Sequence, residues 1–105
     1  MTYLLDILPP PDPISLEIGL DLIPLACGSI IPQLYELCHA MGLECGIDVP
    51  PILVRDNAAL EPREYRIRVH GFEAAHGTLP DDGSAPVLLK HLAKVIRQHS
   101  AELAS

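Results

Sequence analysis

Pro50-Pro51-Ile52-Leu53-Val54-Arg55-Asp56-Asn57, answered by Tyr65-Arg66-Ile67-Arg68-Val69-His70-Gly71, is the part of the chain on which the fold turns. In the second run Tyr65, Ile67 and Val69 alternate with Arg66, Arg68 and His70. That period of two predicts a strand with one apolar and one cationic face. Pro50-Pro51 keeps helix from running into the first strand, because a residue before proline is pushed out of the α region. Asp56-Asn57 can turn the chain through side-chain bonds to its own backbone. Together these features predict an antiparallel hairpin with a long connection from Asn57 to Pro62, the remaining elements packing on its Tyr65/Ile67/Val69 face.

On the N-terminal side, Ile14, Leu16, Ile18, Leu20 and Leu22 alternate with Ser15, Glu17, Gly19 and Asp21. This predicts a long strand, bent at Gly19 and ended by Pro24. Ser29 is placed to cap a helix that carries Pro32 in its first turn. Its apolar positions Ile30, Leu34, Leu37/Cys38, Met41 and Cys45 recur every three to four residues, and Gly46 supplies a stop. Beyond the central pair, Gly71 is expected to bulge the return strand, which runs on to Leu79. Pro80 to Ser84 is a turn-rich connector. A final helix follows, with Ala85, Leu88, Leu92, Val95/Ile96, His99 and Leu103 as its apolar stripe. The order strand, helix, strand, strand, helix predicts a small two-layer α+β domain over residues 12–105, both helices on one sheet face. Residues 1–11 read as a leader, closed by the prolines from Pro9 onward.

Composition narrows the function. At 105 residues, 49% apolar and 20% charged, the chain suits one domain with one aliphatic core. The net charge of −7 sits in one half of the chain. Residues 1–49 contain Asp6, Asp12, Glu17, Asp21, Glu36, Glu44 and Asp48 and no Lys or Arg, whereas residues 50–105 are balanced. Such a field repels phosphate, so no nucleic-acid partner is expected. The cluster Arg55, Arg63, Arg66 and Arg68 is interleaved with acids and reads as a self-neutralising face. There is no basic-then-apolar start of a signal peptide and no apolar run of ~18 residues, so no direct membrane insertion is expected. Three unpaired cysteines fit a reducing, cytoplasmic setting.

Candidate chemistry is sparse. Cys38 and His39, adjacent on a helix, diverge by about 100° and cannot act as nucleophile and base. Cys38 and Cys45 lie two turns apart, about 10 Å, too far for a disulfide. His91 and His99 are separated by about 12 Å along their helix, and no metal-ligand spacing joins them to His70 or His76. Glu17 and Asp21 on one strand would stand about 13 Å apart, too far for two acids acting on one bond. No catalytic residue, metal or cofactor is therefore expected.

Three blocks, in order, carry a resemblance. They are Asp12-Pro13-Ile14-x-Leu16-Glu17-Ile18-Gly19-x-x-Leu22-Ile23-Pro24-Leu25, then Pro50-Pro51-Ile52-x-Val54-Arg55-Asp56-Asn57 with Tyr65-x-Ile67-x-Val69-x-Gly71, then His91-Leu92-x-x-Val95-Ile96-Arg97. The sequence resembles the first cytoplasmic subdomain of the type III secretion and flagellar export-gate family, often called FHIPEP. On that likeness Pro50, Pro51, Arg55, Asp56, Asn57, Tyr65 and Gly71 form the shared structural motif. The chain departs from the pattern in lacking the family's membrane region and its later subdomains. It also has a short connector at 80–84 where the family carries an inserted subdomain, and no arginine in its first helix.

The resemblance implies a non-enzymatic, cytoplasmic protein-docking module. From the alternation alone, Glu17, Asp21, Arg66 and Arg68 are the expected partner-binding side chains, and the acidic first half suits a partner with a basic surface. The alternative is a stand-alone regulatory adaptor in an unrelated bacterial ATPase-associated system that reuses the fold. A small hydrolase would require a concave site holding His70, His76 and a carboxylate together.

Overall fold

The computed structural model describes residues 13–80 and 85–104. The expected leader and residues 81–84 of the expected connector lie outside the described residues. Strand β1 is Ile14–Ile18, β2 Leu53–Asp56, β3 Glu64–Val69 and β4 Phe72–Thr78; helix α1 is Ile31–Cys45, α2 Ala85–Gln98 and α3 Ser100–Ala104. The α+β class holds. The strands form one mixed sheet in the order β2-β1-β3-β4. Ile14, Leu16 and Ile18 of β1 and Tyr65, Ile67 and Val69 of β3 join Leu22, Ala26, Ile30, Leu34, Met41, Leu88, Leu92, Val95 and Ile96 in one core. That is a two-layer packing, sheet against helices.

The expected hairpin is corrected. The Pro50–Asn57 run and the Tyr65–Gly71 run do not pair with each other, because β1 lies between them. β2 runs parallel to β1, with Leu16 opposite Val54, through a crossover that contains α1. β1 runs antiparallel to β3, with Leu16 opposite Ile67. The connection from β2 to β3 therefore passes over the end of β1, and this explains Gly19. A Cβ there would collide with the backbone carbonyls of Glu61 and Pro62. Gly19 N–H donates to Glu64 O at 2.8 Å, and Asp21 N–H to Pro62 O at 3.0 Å. Gly19 is thus a crossing point rather than a bend inside a strand. β1 stops at Ile18, and Leu20–Leu22 form a 3₁₀ turn.

The hairpin of this fold is β3–β4. His70 (φ 52°) and Gly71 (φ 85°) both adopt positive φ, as a tight two-residue turn between twisted strands requires. Gly71 is the turn, and the bulge falls further on. Ile67 faces Ala75 and Arg68 faces Glu73, which leaves Ala74 as the extra residue.

Ser29 does not cap a helix. Helical backbone begins earlier, at Ile23–Leu25, widens into a π turn over Ala26–Ile30 and continues as α1. Pro32 explains the widening: it has no N–H to offer four residues back, and its ring presses on that carbonyl in a regular helix. Gly46 does end α1, at φ 72°, its N–H donating to Gly42 O at 2.8 Å. The last helix breaks at His99 before α3, yet Ala85, Leu88, Leu92, Val95, Ile96 and Leu103 are all buried, as their spacing predicts.

Candidate protein-docking site

The expected docking residues separate in the fold. Glu17 and Arg68, cross-strand neighbours on the sheet face away from the core, are joined at 3.1 Å. Arg66 Nε lies 2.9 Å from Glu73 Oε1, an ion pair by distance without the alignment of a hydrogen bond. Glu73 also meets His76 at 3.2 Å. These side chains form a plank of mutually neutralised charge, each cation already beside an acid. Asp21 is exposed, but it stands on the 3₁₀ turn instead of on β1, so it shares no strand face with Glu17.

The shared structural motif has a local role at each end. Asn57 N–H donates to Ile18 O at 2.9 Å, and its Oδ1 accepts Ala59 N–H at 2.9 Å, the side-chain turn expected of it. Tyr65, on the core face of β3, sends its hydroxyl to His91 Nδ1 of α2 at 2.6 Å, the two rings meeting edge to face. The room for that ring comes from Gly77 opposite, where a Cβ would lie 2.5 Å from the Tyr65 oxygen. Burial pushes the Tyr65 phenol up from its ordinary range.

Alternation on the strands could not reveal an open apolar groove. Between α1 and the approach to β2 runs a groove of about 310 Å³ lined by Ile31, Leu34, Tyr35, Cys38, Ile52 and Val54 among others. Its signal in the sequence is an excess: α1 carries more apolar side chains than one packed face can take. Leu34 is buried and Leu37 and Cys38 are half-buried, while Tyr35 is 77% exposed. The Cys38 thiol reaches Pro50 O at 3.8 Å, and burial pushes its pKa up, which suits a packed thiol better than a nucleophile. A more polar depression shares Cys38 and Val49 with the groove and is lined also by His39 and Asp48. Among the described residues no three His, Cys, Asp or Glu side chains stand close enough to hold one metal ion. An ion pair between Glu44 of α1 and Arg97 of α2 ties the long helices together at the surface. Arg97 holds the Glu44 carboxyl below its ordinary range.

Residues 3–102 match the FHIPEP family. The chain belongs to the FHIPEP family. The flagellar biosynthesis protein FlhA of Bacillus subtilis is 40% identical over 72 residues, covering 65% of this chain and 11% of FlhA. FlhA of Borreliella burgdorferi is 32% identical over 74 residues, covering 67% of this chain and 11% of its own length. This FHIPEP chain thus spans about a tenth of the length of these curated relatives. Among solved structures, Chlamydia pneumoniae CdsV superposes with a TM-score of 0.81 at 19% identity, over 94% of this chain and 48% of CdsV. The nonameric EPEC SctV-C gives a TM-score of 0.57 at 22% identity, over 72% of this chain and 22% of that one. These two likenesses speak for the fold alone. Among the described residues no helix is long and apolar enough to cross a membrane.

Proposed function

We propose that this FHIPEP chain is a non-enzymatic protein-docking module working at the cytoplasmic face of export machinery, and that its main docking surface is the groove between α1 and β2. The observation that carries the reading is the groove itself: apolar side chains from a helix and an edge strand, left open beside an exposed tyrosine. Apolar area of this kind gains most from a protein partner, because covering it releases water without any charge having to be desolvated. Family membership supports the setting, and a structure of Chlamydia pneumoniae CdsV with CdsO provides a neighbour of the same fold bound to another protein. The sheet face bearing Glu17, Arg66 and Arg68, with Asp21 near its end, acts as a secondary surface. Its cations already have acids beside them and offer a partner little that is unpaired.

The test is affinity capture from native lysate with the intact chain beside Tyr35→Asp, followed by mass spectrometry. Tyr35 is exposed, so the variant keeps its fold. Export-apparatus proteins or their chaperones captured by the parent and lost from Tyr35→Asp are the expected result. Capture of an unrelated complex would replace the reading with the adaptor alternative, and no enrichment over a control would overturn docking altogether.

A further inference from the structure

We infer that the outer edge of β2 accepts an added strand, and that the strand it takes is a short, extended peptide segment with alternate large aliphatic residues and basic flanks. This rests on the docking reading above and goes further, to the class of ligand. Among the described residues β2 is an end strand of the sheet. Asn57 N–H points inward to Ile18 O. Backbone direction alternates along a strand, so Leu53 and Arg55 also turn their groups to β1, while Val54 and Asp56 turn theirs outward. An incoming chain can bond there as sheet edges elsewhere are extended.

The side chains of such a segment meet two different surfaces. Val54 is opposite Leu16, on the helix-covered side of the sheet, and Val54 and Ile52 both line the groove. Every second residue of an added strand would fall on that side, over Ile31, Leu34 and Tyr35. That fixes the spacing of the aliphatic anchors. The basic flanks follow from charge. The edge is bracketed by exposed acids, Asp48 before it and Asp56 at its end, while the exposed Arg55 between them is opposite Glu17, on the sheet face away from the groove. No Lys or Arg occurs between Pro13 and Val54, and the whole chain carries −7. An acidic edge around an apolar slot favours a cationic ligand and disfavours an anionic one. Pro50 and Pro51, which give no N–H, limit the edge to about four residues, so the ligand is short and its binding reversible.

The probe is a fluorescein-labelled peptide, Lys-Lys-Thr-Ile-Val-Leu-Lys-Lys, titrated with the full chain by fluorescence anisotropy, beside a counterpart with Glu in place of every Lys. The basic peptide is expected to bind at least about tenfold more tightly than the acidic one, the gap closing at high salt. Val54→Pro removes one outward N–H and spares the bonds to β1, so it should weaken binding at least about tenfold with little change in thermal unfolding. Asp48→Lys/Asp56→Lys should reverse the preference between the two peptides. The inference is overturned if Val54→Pro binds as the parent does, if both peptides bind alike, or if neither binds. It is also overturned if Leu4→Asp/Leu5→Asp is needed to unmask binding, making the occupant the chain's own N-terminal segment. Dimers that Val54→Pro disperses would likewise assign the edge to a second copy. If partner capture survives Val54→Pro but fails with Tyr35→Asp, the docking reading stands and strand addition falls. If capture fails for the parent while the basic peptide still binds, strand addition stands and the export-linked reading falls.

Discussion

Helices α1 and α2 are nearly equal in length, 15 and 14 residues, and both carry apolar side chains at helical spacing. They end in opposite conditions. α2 buries Ala85, Leu88, Leu92, Val95 and Ile96. α1 buries Leu34 and Met41 and leaves Tyr35 and Leu43 more than 70% exposed. The difference lies in what each helix meets. α2 shares a core with the inward faces of the central strands, and its His91 is tied to Tyr65 of β3. α1 faces β2, an edge strand of four residues in which Leu53 and Arg55 are exposed and Val54 only half-buried. Apolar periodicity sets which face of a helix turns inward; the size of the opposing surface sets how much of that face is closed. The open remainder is where a partner can gain binding energy.

Truncating a side chain on each helix puts this contrast at greatest risk. Leu92→Ala, fully buried on α2, should cost about 2–5 kcal/mol in urea unfolding, through lost burial and the cavity left behind. Gly77→Ala should be the next largest, about 1–3 kcal/mol in the same assay. Its new methyl would press on the Tyr65 ring and part it from His91, so the NMR signals of His91 should shift as well. Tyr65→Phe keeps the ring and removes only the hydroxyl; about 1 kcal/mol is expected, measured as a fall in thermal midpoint.

Arg97→Gln probes the tie between the helices and should have a smaller effect still. The folded-state pKa of Glu44 is held low by Arg97. Its contribution is therefore present above the ordinary carboxylate range near pH 4.5 and lost as pH falls through the depressed value. In acid titrations of stability the variant should show a shallower decline there, and high salt should erase the difference. Tyr35→Ala should leave stability within about 0.5 kcal/mol of the parent while weakening partner capture. A loss of stability as large as that of Leu92→Ala would mean that α1 is packed into the core as fully as α2, and the contrast would fail.

Several parts of the fold were legible from residue spacing. Ile14 to Ile18 and Tyr65 to Val69 show alternation, Ala85 to Leu103 shows a helical stripe, and the apolar residues of those patterns are the ones found buried. Asn57 makes the turn its side chain promised, and Gly46 ends its helix. The hairpin assignment failed because two strands close in sequence and joined by turn residues read as paired, whatever element slips between them. Gly19 and Gly71 each announced a departure from regular strand, but a glycine does not say what it makes room for: a crossing chain in one case, a two-residue turn in the other. The groove was hidden for a related reason. Ile31, Tyr35, Ile52 and Val54 lie on two elements, and nothing in their spacing shows that the elements face each other.

Taken alone, the order of residues settles the α+β class, the inward faces of β1, β3 and α2, the acidic bias of the first half and the family. Those follow from local stereochemistry and from which side chains water rejects, and both are written residue by residue. Strand order, the parallel seating of β2 on β1, the pairing of Glu17 with Arg68 and the open side of α1 were decided in three dimensions. They depend on which surfaces meet across many residues of chain, where shape and remaining area choose among arrangements that satisfy the same pattern equally well.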